Sequence, residues 1–257
     1  TQNQSSAASD VYKRQVLNSI VAKQLIEFKA ETDELIDKKG LKKDEAIFNI
    51  LREYIKKSKA ILFEGNGYGE SWKKEAKKRG LSNNKNTPNA LKVKIDPKTI
   101  ELYKCLNVMN KIEIEARYEI ELEEYIHRIQ IEGRVLGDIA RNHIIPTAVK
   151  YQNILINNVR GLKDIYGKEF NKYASEQLIL ISDISKYIEA INSEVTNMTD
   201  ERKKANIIEE STKKAQAYCN KVKPLFDKIR YSCDKLELLI DDELWPLAKY
   251  RELLFTT

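Results

Sequence analysis

The chain has very few residues that make turns, with only 9 glycines and 5 prolines among 257 residues. A sheet fold reverses direction often, and its tight turns favour glycine, proline and asparagine. The scarcity argues against a β-sandwich or a doubly wound sheet and favours long helices. Hydrophobic residues make up 42% and charged residues 33%, which is typical of a folded protein rather than a disordered one. We therefore predict an all-α fold.

Apolar residues recur at helical spacing along most of the chain. One stripe runs from Leu17 to Phe28 and ends at Lys38-Lys39-Gly40, with cations in the last turn and a glycine just beyond. A second runs from Ile47 to Leu62 and stops at Gly65. Their apolar stripes would be exposed if these two helices stood alone.

The longest pattern alternates spacings of four and three from Leu122 onward, as in a heptad repeat, which predicts a helix that packs lengthwise against partners. Its members are Ile114, Tyr118, Leu122, Ile126, Ile129, Gly133, Leu136, Ala140 and His143. Gly133 and Ala140 would let another helix approach closely. A straight helix over 100–159 would measure about 90 Å at ~1.5 Å per residue. We therefore predict a break near Met109–Asn110 or a kink at Pro146.

The remaining patterns complete an antiparallel helical bundle with long kinked helices. A stripe from Phe170 to Val195 predicts another helix, and Thr199-Asp200-Glu201 predicts a new helix start. Pro224 opens or kinks the last long helix. The closing segment, 241–255, is rich in Trp, Tyr, Leu and Phe, and we expect it to dock on a partner surface.

Four segments follow from these patterns. Residues 1–15 carry no helical or strand period and look like a translated sequencing-adaptor tail, so we predict a non-native or disordered lead with native protein beginning at Val16. Residues 16–64 hold two helices. Residues 65–99 hold most of the turn residues and form a connector, with a short helix around Trp72–Arg79 and packing by Tyr68 and Trp72. Residues 100–257 form a helical domain with a docking tail.

Cysteine usage and the lack of a long apolar run point to a cytoplasmic protein. No apolar run is long enough for a membrane span, and Cys105, Cys219 and Cys233 are typical of free thiols in a reducing compartment. The net charge of +6 is spread along the chain. The densest basic cluster, 73–79, contains Glu75 and has only Trp72 nearby for stacking, so a solvated helix face is favoured over a phosphate-binding patch or a nucleic-acid site.

No motif points to catalysis or metal binding. Glu124 and His127 have the spacing seen in di-iron bundles, but the chain has only two histidines and cannot complete such a site. A core or interface histidine is the better interpretation of His143. The glycine-rich run 65–69 follows a helix and lacks the Lys-Ser/Thr of a P-loop, and the acidic run 113–124 points around its helix. We assign no catalytic, cofactor-binding or metal-binding residue.

Several segments resemble the C-terminal part of type III glutamine synthetase, the long bacterial form. These are VLNSIVA at 16–22, GNGYGESWKKEAKKRGL at 65–81, TPNAL at 87–91, EARYEIELEEYIHRIQIEGRVLGDIARNHIIPTAVKYQN at 115–153 and DDELWPLAKYREL at 241–253. They cover nearly the whole chain from Val16, in the family's order. Ala248 departs from the proline expected after Trp-Pro-Leu.

The resemblance implies a parent enzyme that ligates ammonia to glutamate through γ-glutamyl phosphate, using ATP and Mg²⁺ or Mn²⁺, in a dodecamer of stacked hexamers. The residues of that active site lie upstream in the family. The resemblance therefore implies that residues 16–64 are the last helices of a truncated catalytic domain. Our own hypothesis is that the heptad helix and the aromatic tail of the extension serve subunit packing. The alternative is a stand-alone helical adaptor or regulatory interaction protein.

Overall fold

The computed structural model describes the backbone of residues 2–255 and the side chains of residues 14–249 and 252–255. Within these ranges the chain is helical and contains no β-strand, as predicted. The α-helices are α1 (Gln2–Lys39), α2 (Lys43–Ser58), α3 (Glu70–Lys78), α4 (Thr87–Lys92), α5 (Pro97–Cys105), α6 (Lys111–Ile139), α7 (Ile145–Tyr166), α8 (Phe170–Asn206), α9 (Ser211–Ala217), α10 (Lys223–Leu239) and α11 (Tyr250–Leu253). The chain divides into two compact units, residues 1–118 and 119–257.

The first helix begins earlier than the sequence predicts. Helix α1 starts at Gln2 instead of near Val16, and the non-native origin of residues 1–15 stays a prediction. The segment contains neither glycine nor proline, and extending an existing helix costs far less than nucleating a new one. The C-terminal end is as predicted, because α1 ends at Lys39 and Gly40 adopts a φ of +67°.

In unit 1, α1 and α2 form an antiparallel helix pair joined by a short loop. Ala46, Ile50 and Tyr54 follow one another at intervals of four on α2, and the first two are buried. Tyr54 packs edge-on against Phe28 of α1 with ring centroids 5.9 Å apart. This face of α2 therefore supplies the contact with α1.

The predicted break near Met109–Asn110 is confirmed. Helix α5 ends at Cys105, and Asn107 turns the chain with a φ of +53°. Asn110 and Glu113 then cap α6 reciprocally, since the Asn110 N–H donates to Glu113 Oε2 at 2.7 Å and the Glu113 N–H donates to Asn110 Oδ1 at 3.0 Å. Tyr103, Met109 and Ile114 form a small buried cluster around this break.

Unit 2 is organised by α8, which packs against both α7 and α10. The predicted stripe on α6 is buried inside this bundle at Leu122, Ile126, Ile129 and Ala140. The close approach predicted at Gly133 is made by the same chain, because a Cβ built there would lie 3.2 Å from Phe226 Cε1 and 3.6 Å from Met198 Sδ. The close contact at Gly133 thus serves folding of the chain itself, and packing of the heptad helix between subunits stays a prediction.

Two five-residue π-helical segments interrupt helices shortly before a proline. They span Ala140–Ile144 and Tyr218–Val222, and each is followed by one residue and then a proline, Pro146 or Pro224. The wider turn accommodates the missing proline N–H without ending the helix, so the predicted kinks take this form. The extra residue per turn also shifts the phase of the stripe. Ile144 is buried and His143 is exposed, so His143 is not a core residue of this unit, and its place in an interface stays a prediction.

The predicted helix start at Thr199 is absent, because α8 runs without interruption from Phe170 to Asn206. The Thr199 hydroxyl donates to the Val195 carbonyl at 2.8 Å, one turn back within the helix, and therefore does not act as a cap. The break comes later, between Asn206 and the start of α9 at Ser211.

The three thiols differ in exposure, which predicts an order of chemical labelling. Cys105 is exposed and Cys233 is buried, and burial raises the pKa of the Cys233 thiol to about 11. Because the thiolate is the reactive form, a thiol reagent at pH 8 should label Cys105 first and reach Cys233 only after unfolding. Peptide mapping by mass spectrometry checks this order.

The same raised pKa has a consequence for stability. The folded state holds the Cys233 proton more tightly than the unfolded state, so this contribution is complete below the ordinary thiol pKa of 9.0 and is lost as the pH rises towards about 11. Labelling of Cys233 at the rate of Cys105 in the native chain would contradict the predicted order of labelling.

Candidate docking surface

One face of α1 is covered by α2 near Phe28 and is bare between Leu17 and Leu25. Successive helical residues are rotated by about 100°, so Leu17, Val21 and Leu25 lie on the same face as Phe28 and Thr32. Helix α2 covers that face at Phe28, and Thr32 is buried. Leu17, Val21 and Leu25 are 62%, 56% and 61% exposed. The apolar pattern therefore continues beyond the part that α2 covers.

Helix α2 carries a second bare stripe. Phe48, Leu51 and Ile55 lie on the side of α2 away from Ala46 and Ile50, and all three are exposed, Phe48 to 64%. Ile61 and Leu62, just beyond the helix, are also exposed. We call the α1 and α2 stripes together the apolar docking face; its members are Leu17, Val21, Leu25, Phe48, Leu51 and Ile55.

Apolar stripes at helical spacing are typical of surfaces that another protein element covers. Single exposed apolar side chains are common, but several in register on one helix face mark interaction sites. Fully burying a side chain of this size is worth about 1.5–3 kcal/mol, so covering the docking face provides a substantial driving force for association. The exposure predicted for these stripes is confirmed in part, because Leu51 and Ile55 are exposed, whereas Ile50 is buried and Tyr54 packs on Phe28.

In the connector, residues 65–99, an arginine side chain packs against two aromatic rings. Phe63 and Trp72 pack with ring centroids 4.5 Å apart. The Arg79 guanidinium lies about 6 Å from both rings, bonds Glu75 at 2.8 Å and donates to the Leu62 carbonyl at 3.1 Å. The predicted packing by Trp72 is thus confirmed, whereas Tyr68 is 96% exposed and packs on nothing.

The predicted basic cluster on α3 is partly neutralised within its own helix. Glu70 pairs with Lys73 at 2.5 Å, and Glu75 forms an ion pair with Arg79. The Arg79 pairing also lowers the pKa of the Glu75 carboxyl, mainly through their hydrogen bond. Sequence reasoning counted Arg79 with the cluster and did not identify its structural role, because Phe63 lies outside the helix.

The motif at Glu124 and His127 does not form a metal site in the structure. Glu124 pairs with Arg128 at 2.6 Å, and His127 is exposed. Among the described residues, no group of three or more His, Cys, Asp or Glu side chains lies close enough to hold a metal ion. No described helix is both long and apolar enough to cross a bilayer.

The closing segment is partly tied to its own chain. Lys249 Nζ donates to the Glu237 carbonyl at 3.2 Å and pairs with Asp242, and Trp245 is half-buried. Leu253, Leu254 and Phe255 remain exposed. Docking of this tail on a partner stays a prediction.

Comparisons with known proteins identify relatives of the chain. Residues 46–163 match the family model described as the glutamine synthetase C-terminal domain. The chain is 46% identical over 241 residues to a glutamine synthetase of Bacteroides fragilis (strain YCH46), covering 93% of this chain and 33% of that protein. It is 29% identical over 253 residues to the type-3 glutamine synthetase of Dictyostelium discoideum, covering 93% and 32%. The chain thus spans about a third of the length of these relatives.

Proposed function

Because residues 46–163 belong to the glutamine synthetase C-terminal domain family, we propose that the chain is the C-terminal third of a type III glutamine synthetase. The proposed parent joins ammonia to glutamate with ATP through γ-glutamyl phosphate. As the resemblance to the family implies, the ATP and Mg²⁺ or Mn²⁺ sites of this parent are expected to lie upstream of the region that the chain represents. By itself the chain is expected to be inactive. The parent is expected to be a cytoplasmic homo-oligomer.

The apolar docking face carries the specific role that we propose. Leu17, Val21 and Leu25 continue a face that α2 covers at Phe28. In the parent, the natural occupant of this face is the catalytic domain that precedes it in the same chain, because a covalent neighbour is present at high effective concentration. A stand-alone adaptor would instead present the face to a separate protein.

A chimeric enzyme tests this role. We would replace the C-terminal third of the Bacteroides fragilis relative with residues 16–257 and measure glutamine formation and oligomeric state. The double substitution Val21→Asp and Leu25→Asp would place two charges in the covered face. We expect at least about a tenfold loss of activity and of assembled enzyme, because unpaired buried charges are strongly unfavourable.

Two controls make the chimera informative. Leu238→Asp alters a leucine of unit 2 that is 78% exposed and should change neither activity nor assembly. In the chain alone, the double variant should keep the helical circular dichroism signal, since both sites are exposed there. Full activity and assembly of the double-variant chimera would refute the packing role and favour the adaptor.

A further inference from the structure

Three arginines of unit 2 line one cleft between α6 and α8. Arg134 belongs to α6, Arg141 to the π-helical segment that follows it, and Arg202 to α8. The cleft has a volume of about 290 Å³. A Cβ built at Gly137 would lie 3.3 Å from Val195 Cγ1, so α6 and α8 approach closely here and bring the arginines of both helices to one place.

The positive charge of this cleft is not balanced by carboxylates. In the described part of the chain, none of the three arginines has a carboxylate within ion-pair distance, whereas Arg128 and Arg230 pair with Glu124 and Asp234. The carboxylate in the cleft lining belongs to Asp138, and its Oδ1 accepts a hydrogen bond from Asn142 Nδ2 at 2.5 Å. The lining therefore has a formal charge of +2 from three arginines and one aspartate.

Two of the three arginines are restrained. Arg141 is held by hydrogen bonds to α8, and Arg202 is restrained by partial burial. One Arg141 guanidinium nitrogen donates to the Asn192 carbonyl at 3.2 Å and to Thr196 Oγ1 at 2.6 Å. Arg202 is half-buried. A guanidinium has five donors in a planar fork, so Arg141 keeps donors free for a ligand while its position is fixed. Pre-positioned donors reduce the entropy that binding costs.

The arginines of the cleft also affect the pKa of the buried phenol of Tyr218. Burial raises the pKa of Tyr218, and the positive charges of Arg202 and Arg134 both oppose that rise. Two guanidinium groups on different helices thus lie close enough to the same buried side chain to lower its pKa. The field would favour any compact anion placed between them.

We propose that this cleft binds a small ligand that carries a phosphoryl group. Arginine forks match the tetrahedral oxygens of phosphate and bind them through paired, charge-assisted hydrogen bonds. The charge of +2 matches a phosphate dianion, and the cleft is too small for a folded partner to enter.

Titration calorimetry on the full chain tests the proposal, with inorganic phosphate, pyrophosphate and malonate as probes at constant ionic strength. We expect saturable binding of phosphate or pyrophosphate with one site per chain. Arg202→Gln and Arg134→Gln should each weaken it by at least about tenfold, the effect of losing a charge-assisted hydrogen bond. Arg128→Gln is the matched control on α6 and should leave the affinity within about twofold.

Each alternative outcome would overturn the proposal. Absence of saturable phosphate and pyrophosphate binding would do so, as would equal weakening by Arg128→Gln. Malonate binding as tightly as the phosphates would indicate a carboxylate site instead. If Arg202→Gln fails to fold, Arg134→Gln decides the question, because Arg134 is exposed and no described residue pairs with it.

Discussion

Replacing Leu236 by alanine is expected to lower the free energy of unfolding by about 2–5 kcal/mol. Leu236 lies on α10 and is 0% exposed, and α10 packs along α8, the central helix of unit 2. Truncation removes apolar contacts and leaves a cavity that surrounding helices fill only in part. Urea unfolding followed by circular dichroism at 222 nm measures the change.

The same helix provides the control for this prediction. Leu238 lies two residues further along α10 and is 78% exposed. Leu238→Ala removes the same atoms from a surface position and should change the free energy of unfolding by less than about 0.5 kcal/mol. Equal effects of the two substitutions would mean that α10 does not pack on α8 through Leu236.

Replacing Gly133 by leucine is expected to destabilise unit 2 by about 1–3 kcal/mol or more. A Cβ at this position would already lie 3.2 Å from Phe226 Cε1 and 3.3 Å from Phe226 Cζ. The remaining leucine atoms would have to displace a ring held between helices. The loss should appear in urea unfolding of the chain alone, because the contact is internal.

Gly161→Leu is the matched control, since no atom lies within 4 Å of a Cβ built at Gly161 of α7. Leucine is the better helix former by about 0.5–1 kcal/mol, so this variant should be neutral or slightly more stable. Should Gly133→Leu leave the stability of the chain unchanged while altering assembly of a full-length enzyme, Gly133 would act between subunits as first expected.

The helices and their ends were largely predictable, because local signals determine them. Gly40 and Gly80 both adopt positive φ where the sequence predicts a helix end. Asn110 caps α6 at the predicted break. Helix α4 at Thr87–Lys92 was not predicted, since its six residues are too few to show a period.

The phase of the stripe after Ala140 was not predictable from a heptad pattern. The π-helical turn at Ala140–Ile144 adds a residue, which buries Ile144 and exposes His143. A signal was present in Pro146, whose missing N–H and bulky ring must be accommodated in the preceding turn. The sequence therefore predicts an irregularity of the helix near Pro146, but it does not predict that the irregularity is a π-helical turn.

Contacts between distant segments were beyond sequence reasoning. Arg134 and Arg202 come from different helices, and only the packing of α6 on α8 brings them to one cleft. Likewise, whether Gly133 faces another chain or Phe226 depends on tertiary packing. The docking face was predictable because its apolar residues share a helical period within α1 and within α2.

Sequencing the source DNA upstream of codon 16 tests the central claim most directly. If the chain is the C-terminal third of a type III glutamine synthetase, the reading frame at Val16 continues upstream, without a stop, through a glutamine synthetase catalytic domain. That domain would be the occupant of the face at Leu17, Val21 and Leu25. A promoter and start codon directly preceding residue 1 would contradict the claim and make a stand-alone interaction protein the better account.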